Sequence, residues 1–370
     1  MKAAIVHDWL VTYAGAERVL EQMLRAFPRA DLYSLIDFLP PGERGFILNK
    51  SVKTSFLQHL PGARTRYRQY LPLMPLAIGA LRLRGYDLVI SSSHAVAKGV
   101  NAGGALHVCM CYTPIRYAWD LRQQYLKESG LDSGIKGMLA NALLDYLKAW
   151  DLRKSSGVHY FIAISDYIAR RISQCYGRES TVIYPPVDIE SFAPAGTKED
   201  YYVTASRMVP YKRMDMIVEA FSRMPEKRLV VIGGGPDFRK VQAKAAANVE
   251  LLGYQPSEVL KTHLQRAKAF VFAAEEDFGI LPVEAQACGT PVIAYGKGAS
   301  TETVIDGVTG ILFQEQNVEG VIQAVEAFEK HRAFDQQEIR KNAERFSAAR
   351  FQEEFRAAIG RMTEAGGRQT

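Results

Sequence analysis

The stretch Ala269-Phe270-Val271-Phe272-Ala273, followed by Glu275-Glu276-Asp277-Phe278-Gly279-Ile280-Leu281-Pro282-Val283-Glu284-Ala285-Gln286-Ala287-Cys288-Gly289-Thr290-Pro291-Val292-Ile293-Ala294, decides how the chain reads. Its first five residues are an unbroken apolar run, the mark of a strand buried on both faces. An acidic loop follows, and then a helix whose first turn holds Pro282 and Glu284. A second apolar run, Pro291–Ala294, closes the unit. Strand, helix and parallel strand together form the repeating element of a sheet covered by helices.

The same alternation extends outward in both directions. Strands are expected at Ala3–Val6, Leu88–Ser91, Val108–Tyr112 and Tyr160–Ala163 in the first half. In the second half they are expected at Tyr201–Ala205, Arg228–Ile232, Val249–Leu252, Ala269–Ala273 and Pro291–Ala294. Between the halves, Tyr184-Pro185-Pro186-Val187-Asp188 runs into a small-residue, polar stretch ending at Asp200, the composition of a linker. The expected domains are therefore residues 1–185 and 196–350. A last helix, around Phe346 to Met362, carries Phe351, Phe355 and Ile359 four apart on one face, and a helix over residues 350–370 is expected to pack back on the first domain. The tail Gly366–Thr370 is expected to fray.

A chain of 370 residues suits two domains, and 48% apolar with 23% charged residues is an ordinary globular balance. No apolar run nears the roughly 18 residues of a membrane span. His7 and Asp8 interrupt the opening apolar run before it reaches the ~7–15 residues of a signal peptide. A cytoplasmic protein is expected. Cys109 and Cys111 share one face of a strand and cannot easily bridge, and Cys175 and Cys288 stand alone, so free thiols are expected. The net charge of +6 admits nucleic acid, an anionic membrane or a phosphorylated small molecule.

Position along the chain narrows that choice. Glu276 and Glu284 are eight apart, one in a loop and one about a turn into the helix, so both can face a pocket at the strand's carboxyl end. Carboxylates there accept hydrogen bonds from the vicinal hydroxyls of a sugar or ribose. The backbone amides of Phe278, Gly279 and Ile280 lie at the helix start and suit oxygen ligands. After the strand ending at Ala205, Ser206-Arg207-Met208-Val209-Pro210-Tyr211-Lys212 sets a guanidinium and an ammonium five residues apart across a turn, a cradle for a diphosphate. The Gly233-Gly234-Gly235 loop fails the spacing of a dinucleotide fingerprint, and Gly296-Lys297-Gly298 fails that of an ATPase phosphate loop. No two aspartates stand two apart, so a metal bridged in the Asp-x-Asp manner is not expected, and neither is any other cofactor.

The Glu276-x7-Glu284 pair with Phe278-Gly279 inside it resembles the signature of the family-4 retaining glycosyltransferases. The text from Ala287 to Ala294 and from Val304 to Leu312 resembles that family too. The resemblance implies a GT-B fold: α/β, two Rossmann-like domains whose parallel sheets face a central cleft. It implies that Glu276 lies at the donor sugar, that Glu284 holds the donor ribose, and that Arg207 and Lys212 grip the donor diphosphate with Ser206 beside them. Gly234 becomes a turn near the nucleotide and Tyr254 a contact to the base. Gly15, in Tyr13-Ala14-Gly15-Ala16-Glu17, resembles the family's glycine-rich first loop. Tyr112-Thr113-Pro114-Ile115-Arg116-Tyr117-Ala118-Trp119-Asp120 resembles bacterial relatives that transfer mannose from GDP-mannose, with Tyr112 where those relatives carry His. Tyr112 is taken as a donor contact, and His94 as a loop histidine able to substitute in part.

The resemblance implies a hexosyltransferase that attacks on the front face, with GDP-mannose as donor and surface polysaccharide synthesis as setting. Arginines 64, 66, 68, 82 and 84 lie among aromatic and aliphatic residues, and a second basic stretch runs from Lys136 to Lys154. Such surfaces suit either an anionic membrane or a basic face laid over a core. A saccharide or polyprenyl-diphosphate-linked acceptor and peripheral attachment to the inner membrane fit the first. The rival readings are a GT-B epimerase or phosphorylase and a non-catalytic nucleotide-sugar-binding protein. A nucleic-acid partner is not expected, since the cations form no recognisable motif.

Overall fold

Each apolar run expected as a strand is one, within a residue or two at its ends. The structure is a computed structural model and describes residues 1–120, 122–128, 131, 133–331 and 333–367. Arg368, Gln369 and Thr370 of the expected frayed tail lie outside the described residues. The chain divides into two compact units: residues Met1–Tyr184 with Phe351–Thr370, and residues Pro185–Arg350.

The first unit holds a seven-stranded sheet among the described residues. Its strands are β1 (Ala3–His7), β2 (Asp31–Ser34), β3 (Val52–Thr54), β4 (Leu88–Ser93), β5 (Leu106–Cys111), β6 (Tyr160–Ala163) and β7 (Ser180–Val182), in the order β3-β2-β1-β4-β5-β6-β7 and all parallel. Residues alternate between faces along a strand. In β1, Ala4 and Val6 join an apolar cluster with Met74, Ile78, Leu144, Leu147 and Trp150. The C-terminal helix Ala348–Gly367 buries Phe351, Phe355 and Ile359 as its four-residue spacing predicts, and Phe355 meets Phe27 edge-on at 5.9 Å.

Among the described residues the second unit holds six parallel strands: β8 (Tyr202–Ala205), β9 (Leu229–Ile232), β10 (Val249–Gly253), β11 (Ala269–Phe272), β12 (Val292–Tyr295) and β13 (Gly310–Phe313). Their order is β10-β9-β8-β11-β12-β13. Helix Met214–Ser222 packs with Val318–Lys330, whereas helix Ile280–Ala287 packs with Gln336–Glu344. The residues between Pro185 and Phe192 are anchored: the Val187 N–H donates to the Phe346 carbonyl at 2.8 Å, and Ile189 and Phe192 are buried.

Both sheets reverse their strand order once, between β1 and β4 in the first unit and between β8 and β11 in the second. In open parallel sheets the loops at such a switch point diverge and leave a crevice at the strands' carboxyl ends, where ligands bind. Topology alone thus sets two candidate sites, one in each unit.

Behind the first switch point the core is polar. Lys98 and Asp151 are both fully buried and pair at 2.7 Å, and Asp151 also accepts from Trp119 Nε1 at 2.9 Å and Tyr176 OH at 2.6 Å. All four cysteines are free thiols. His107 is buried beside Ser91 Oγ at 2.9 Å, and burial pushes its pKa down to about 4. An unfolded His binds a proton near pH 6.5, whereas the folded one refuses it until about pH 4. Its neutral form therefore stabilises the fold above pH 6.5, and that stability is lost as the pH falls from 6.5 towards 4. Between pH 7 and 5 the wild type should lose about 2 kcal/mol more stability than His107→Gln. Urea unfolding at the two pH values checks this, and equal losses would contradict it.

Candidate functional site

In the second unit the switch point is built by loops that follow β8, β9, β11 and β12. The loop after β8 carries Ser206, exposed Arg207, and a 3₁₀ turn from Pro210 to Lys212. Arg213 takes a left-handed conformation (φ 55°) and starts the helix Met214–Ser222. The loop after the neighbouring strand β11 carries Glu275, Glu276 and Asp277. Lys212 Nζ forms an ion pair with Glu276 Oε1, and both side chains are largely shielded from solvent. The ammonium also lies 5.3 Å from the Tyr211 ring and 5.8 Å from the Phe272 ring. The cation and the carboxylate thus meet over the gap between β8 and β11.

Backbone contacts fix both loops. The Gly233 and Gly235 backbones have φ values of 132° and 154°, and a Cβ on either would strike the backbone oxygen of Ser206 (1.9 Å) or Met208 (2.4 Å). Bare glycine there lets the loop after β9 lie directly against Ser206–Met208, and the Met208 N–H donates to the Gly234 carbonyl at 2.8 Å. A Cβ on Gly234 would meet nothing within 4 Å, so that residue faces open space. Gly298, after β12, is packed as tightly: its Cβ would lie 2.6 Å from the Glu276 carbonyl oxygen, which accepts the Ala299 N–H at 2.9 Å.

The remaining expected residues of this unit take several positions. Gly279 is the N-cap of the helix Ile280–Ala287 with φ 82°, and no side chain caps it. Phe278 is in the core, edge-on to Phe346 at 5.5 Å, so its backbone alone is left for a ligand. Glu284 is buried at 2% exposure in that helix, and Ile280 is half-buried. Tyr254 follows Gly253, whose carbonyl accepts the Gly233 N–H at 2.8 Å, and is 86% exposed. Among the described residues no three His, Cys, Asp or Glu side chains are grouped as metal ligands.

In the first unit the switch point holds a polar cluster. Gly15 opens the helix Gly15–Ala26, and Glu17 Oε2 accepts the Ala14 N–H at 3.1 Å. Tyr112 is 7% exposed, and its hydroxyl donates to the Ala16 carbonyl at 3.2 Å. Its oxygen therefore accepts from Ser92 Oγ at 2.7 Å, and Ser92 in turn receives His7 Nδ1 at 2.9 Å. His7 Nε2 lies 3.4 Å from Glu17 Oε1. Asp8, fully buried, accepts four backbone N–H groups, from His94, Ala95, Val96 and Ala97, at 2.7 to 2.9 Å. Burial alone would raise its pKa, but His94, His7 and these donors hold it below the ordinary carboxylate value. His7, Asp8, Glu17 and Ser92 escaped the sequence reading as site residues. Their signal was there: two consecutive polar residues end a buried strand, and three serines end its neighbour.

Residues 13–191 match the model of Glycosyltransferase Family 4, and residues 188–346 match that of the glycosyl transferases group 1. Fold, switch points and these two matches agree: the chain carries a Glycosyltransferase Family 4 domain followed by a glycosyl transferases group 1 domain, in the GT-B fold. A GDP-mannose-dependent alpha-(1-6)-phosphatidylinositol monomannoside mannosyltransferase of Mycolicibacterium smegmatis is 32% identical, the match covering 44% of this chain and 50% of that protein. A D-inositol 3-phosphate glycosyltransferase of Kribbella flavida is 33% identical over 45% of this chain and 47% of its own length. The chain thus spans about half the length of the curated relatives it matches. Among solved structures, sucrose-phosphate synthase of Thermosynechococcus elongatus superposes with a TM-score of 0.72 at 16% identity, covering 99% of this chain and 100% of the other. HepE of Anabaena in complex with UDP and glucose does so with 0.68 at 17%, over 97% and 99%. Those likenesses speak for the fold.

The glycine loop separates a packing role from a contact role. Gly233→Ala should destabilise the second unit by at least about 2 kcal/mol, because backbone must move to admit the methyl. Gly234→Ala should leave stability within about 1 kcal/mol of wild type. Paired denaturation curves decide, and equal effects would contradict this account.

Proposed function

We propose that the chain is a retaining glycosyltransferase whose second unit binds a nucleoside diphosphate sugar and whose first unit takes a saccharide acceptor. The observation that carries this reading is the Lys212–Glu276 pair over the β8/β11 gap, with Arg207 on the same loop and the glycine loop against it. Lys212 and Arg207 are complementary phosphate binders, a point charge and a planar fork. Glu276 offers carboxylate oxygens to sugar hydroxyls and Glu284 to a ribose. The exposed Tyr254 ring suits stacking under a base. The relative named as a GDP-mannose-dependent mannosyltransferase favours GDP-mannose as donor.

The chemistry asked of these residues is leaving-group stabilisation. The bond from the sugar's anomeric carbon to the diphosphate breaks, and the acceptor oxygen bonds to that carbon on the same face. The acceptor's proton passes to the departing diphosphate, which Arg207 and Lys212 hold. No metal is needed when two cations meet the developing charge. Arg207→Ala and Lys212→Ala should each lower turnover by about 10²–10³, and EDTA should leave it intact. A thermal-shift panel of GDP-mannose and other sugar nucleotides identifies the donor. Near-wild-type turnover in both variants, or none of the nucleotides raising the melting temperature, would sink the proposal.

A lipid-linked acceptor agrees with the surface of the first unit. Arginines 64, 66, 68, 82 and 84 are exposed, whereas Tyr67, Met74, Ile78, Leu81 and Leu83 are buried beneath them. Leu73 and Leu76 stay exposed among these cations. Ile135, Met138 and Leu139, 75, 69 and 67% exposed, form one apolar stripe at the start of helix Gly134–Ser155, whose Lys136 and Lys148 are also exposed. Apolar side chains set among cations suit the headgroup layer of an anionic bilayer. No helix among the described residues is long and apolar enough to cross one. The protein should therefore sediment with phosphatidylglycerol vesicles and less with pure phosphatidylcholine, and Ile135→Asp with Leu139→Asp should weaken that binding. Equal recovery from both vesicle types would count against it.

A further inference from the structure

The polar cluster at the β1/β4 switch point is closed on itself with one exception. His7, Asp8, Glu17, Ser92 and Tyr112 are each 7% exposed or less, and their polar atoms bond to one another or to backbone. The Tyr112 hydroxyl is already occupied as donor and as acceptor. His94 differs. Its side chain is 28% exposed, directly beyond the carboxyl end of β4. Its main-chain N–H donates to Asp8 Oδ2 at 2.7 Å, and the next three N–H groups bind the same carboxylate, so the loop beneath the ring cannot drift. Trp9 stands edge-on to the imidazole, centroids 4.5 Å apart at 87°. Nδ1 lies 3.2 Å from Asp8 Oδ2 without hydrogen-bond alignment, because the Asp8 oxygens are filled by backbone donors.

A ring fixed by packing and by its own main chain, with Nδ1 buried against Asp8, keeps its other nitrogen, Nε2, for something else. Burial lowers the His94 pKa against the pull of Asp8, so the ring is neutral near pH 7. With Nδ1 buried, Nε2 of the neutral ring is the nitrogen left to bond a sugar hydroxyl, which can act as donor or as acceptor to it. We infer that His94 is the ligand-facing group of the first unit and hydrogen-bonds a saccharide hydroxyl, with Asp8 as the positioning residue and Tyr112 as framework behind it. This rests on the reading of the first unit as the saccharide-binding one.

The test uses the full chain with ¹⁵N-labelled histidine rings, assigned with His94→Phe, which keeps a flat ring against Trp9. Methyl α-mannoside, methyl α-glucoside and myo-inositol are titrated separately, with GDP as control. At least one of the three should move the His94 ring resonances, GDP should not, and His94→Phe should weaken binding of the responding compound about two- to tenfold, the worth of one hydrogen bond. Unmoved His94 resonances with all three, or unchanged affinity in a folded His94→Phe, overturn the assignment. If GDP raises the melting temperature while His94 stays silent, the glycosyltransferase reading survives and this one falls. If GDP also fails to bind, both fall.

Discussion

A parallel sheet that reverses its strand order cannot close the space between the two strands where the reversal occurs. The chain leaves those strands towards opposite faces, and their carboxyl ends open onto a crevice that no helix covers. Both units are built on this constraint, at β1/β4 and at β8/β11. The residues with the least ordinary chemistry stand at those two gaps. In the second unit they are Lys212 and Glu276, brought by neighbouring strands from positions 64 residues apart in the sequence. In the first unit they are the His7–Asp8 ending of β1 and the Ser91–His94 ending of β4.

The two gaps solve the problem of loop precision differently. The second relies on glycine, which lets one backbone lie on another: Gly233 and Gly235 against Ser206 and Met208, Gly298 against Glu276. The first relies on charge, with one buried carboxylate collecting four consecutive N–H groups of the loop after β4. Hydrogen bonds to an ionised acceptor are stronger than neutral ones, and a filled carboxylate has little reason to seek water. Behind it the Lys98–Asp151 pair, with Trp119 and Tyr176 on the same carboxylate, ties the loop after β4 to the helix Gly134–Ser155. Such a pair stabilises little by its formation and costs about 3–5 kcal/mol to break from one side.

What the sequence made legible follows from the same physics. Central strands are buried on both faces and so appear as unbroken apolar runs; eight of the nine expected strands were of this kind, and the ninth, β10, lies at a sheet edge. The strands without a forecast were β2, β3, β7 and β13, three or four residues long; β3, β7 and β13 sit at sheet edges, and β3 and β7 are largely half-exposed. Too short for periodicity, they are held by their neighbours rather than by their own composition. The Glu276 loop and the Arg207–Lys212 loop were legible because their spacing is local. The ion pair between them was not, since it depends on β8 and β11 being adjacent. Asp8 looked like an interruption of an apolar run, and only the fold reveals that its partners lie some 86 to 89 residues away. Tyr112 was legible as a position and not as an environment, because its hydroxyl is shared with Ser92 and Ala16, far from it in sequence.

The pairing of Lys212 with Glu276 has a further consequence. A cation that already has its counter-ion does not attract every anion equally: an arriving group must compete with a carboxylate that is tethered and therefore always present. A singly charged anion such as chloride or acetate offers Lys212 little that Glu276 does not already supply. A group carrying two or more negative charges, with hydroxyls nearby to occupy the displaced carboxylate, offers more on both sides of the exchange. The tether thus works as a threshold, discounting monovalent anions and favouring a multiply charged one that brings hydroxyls with it.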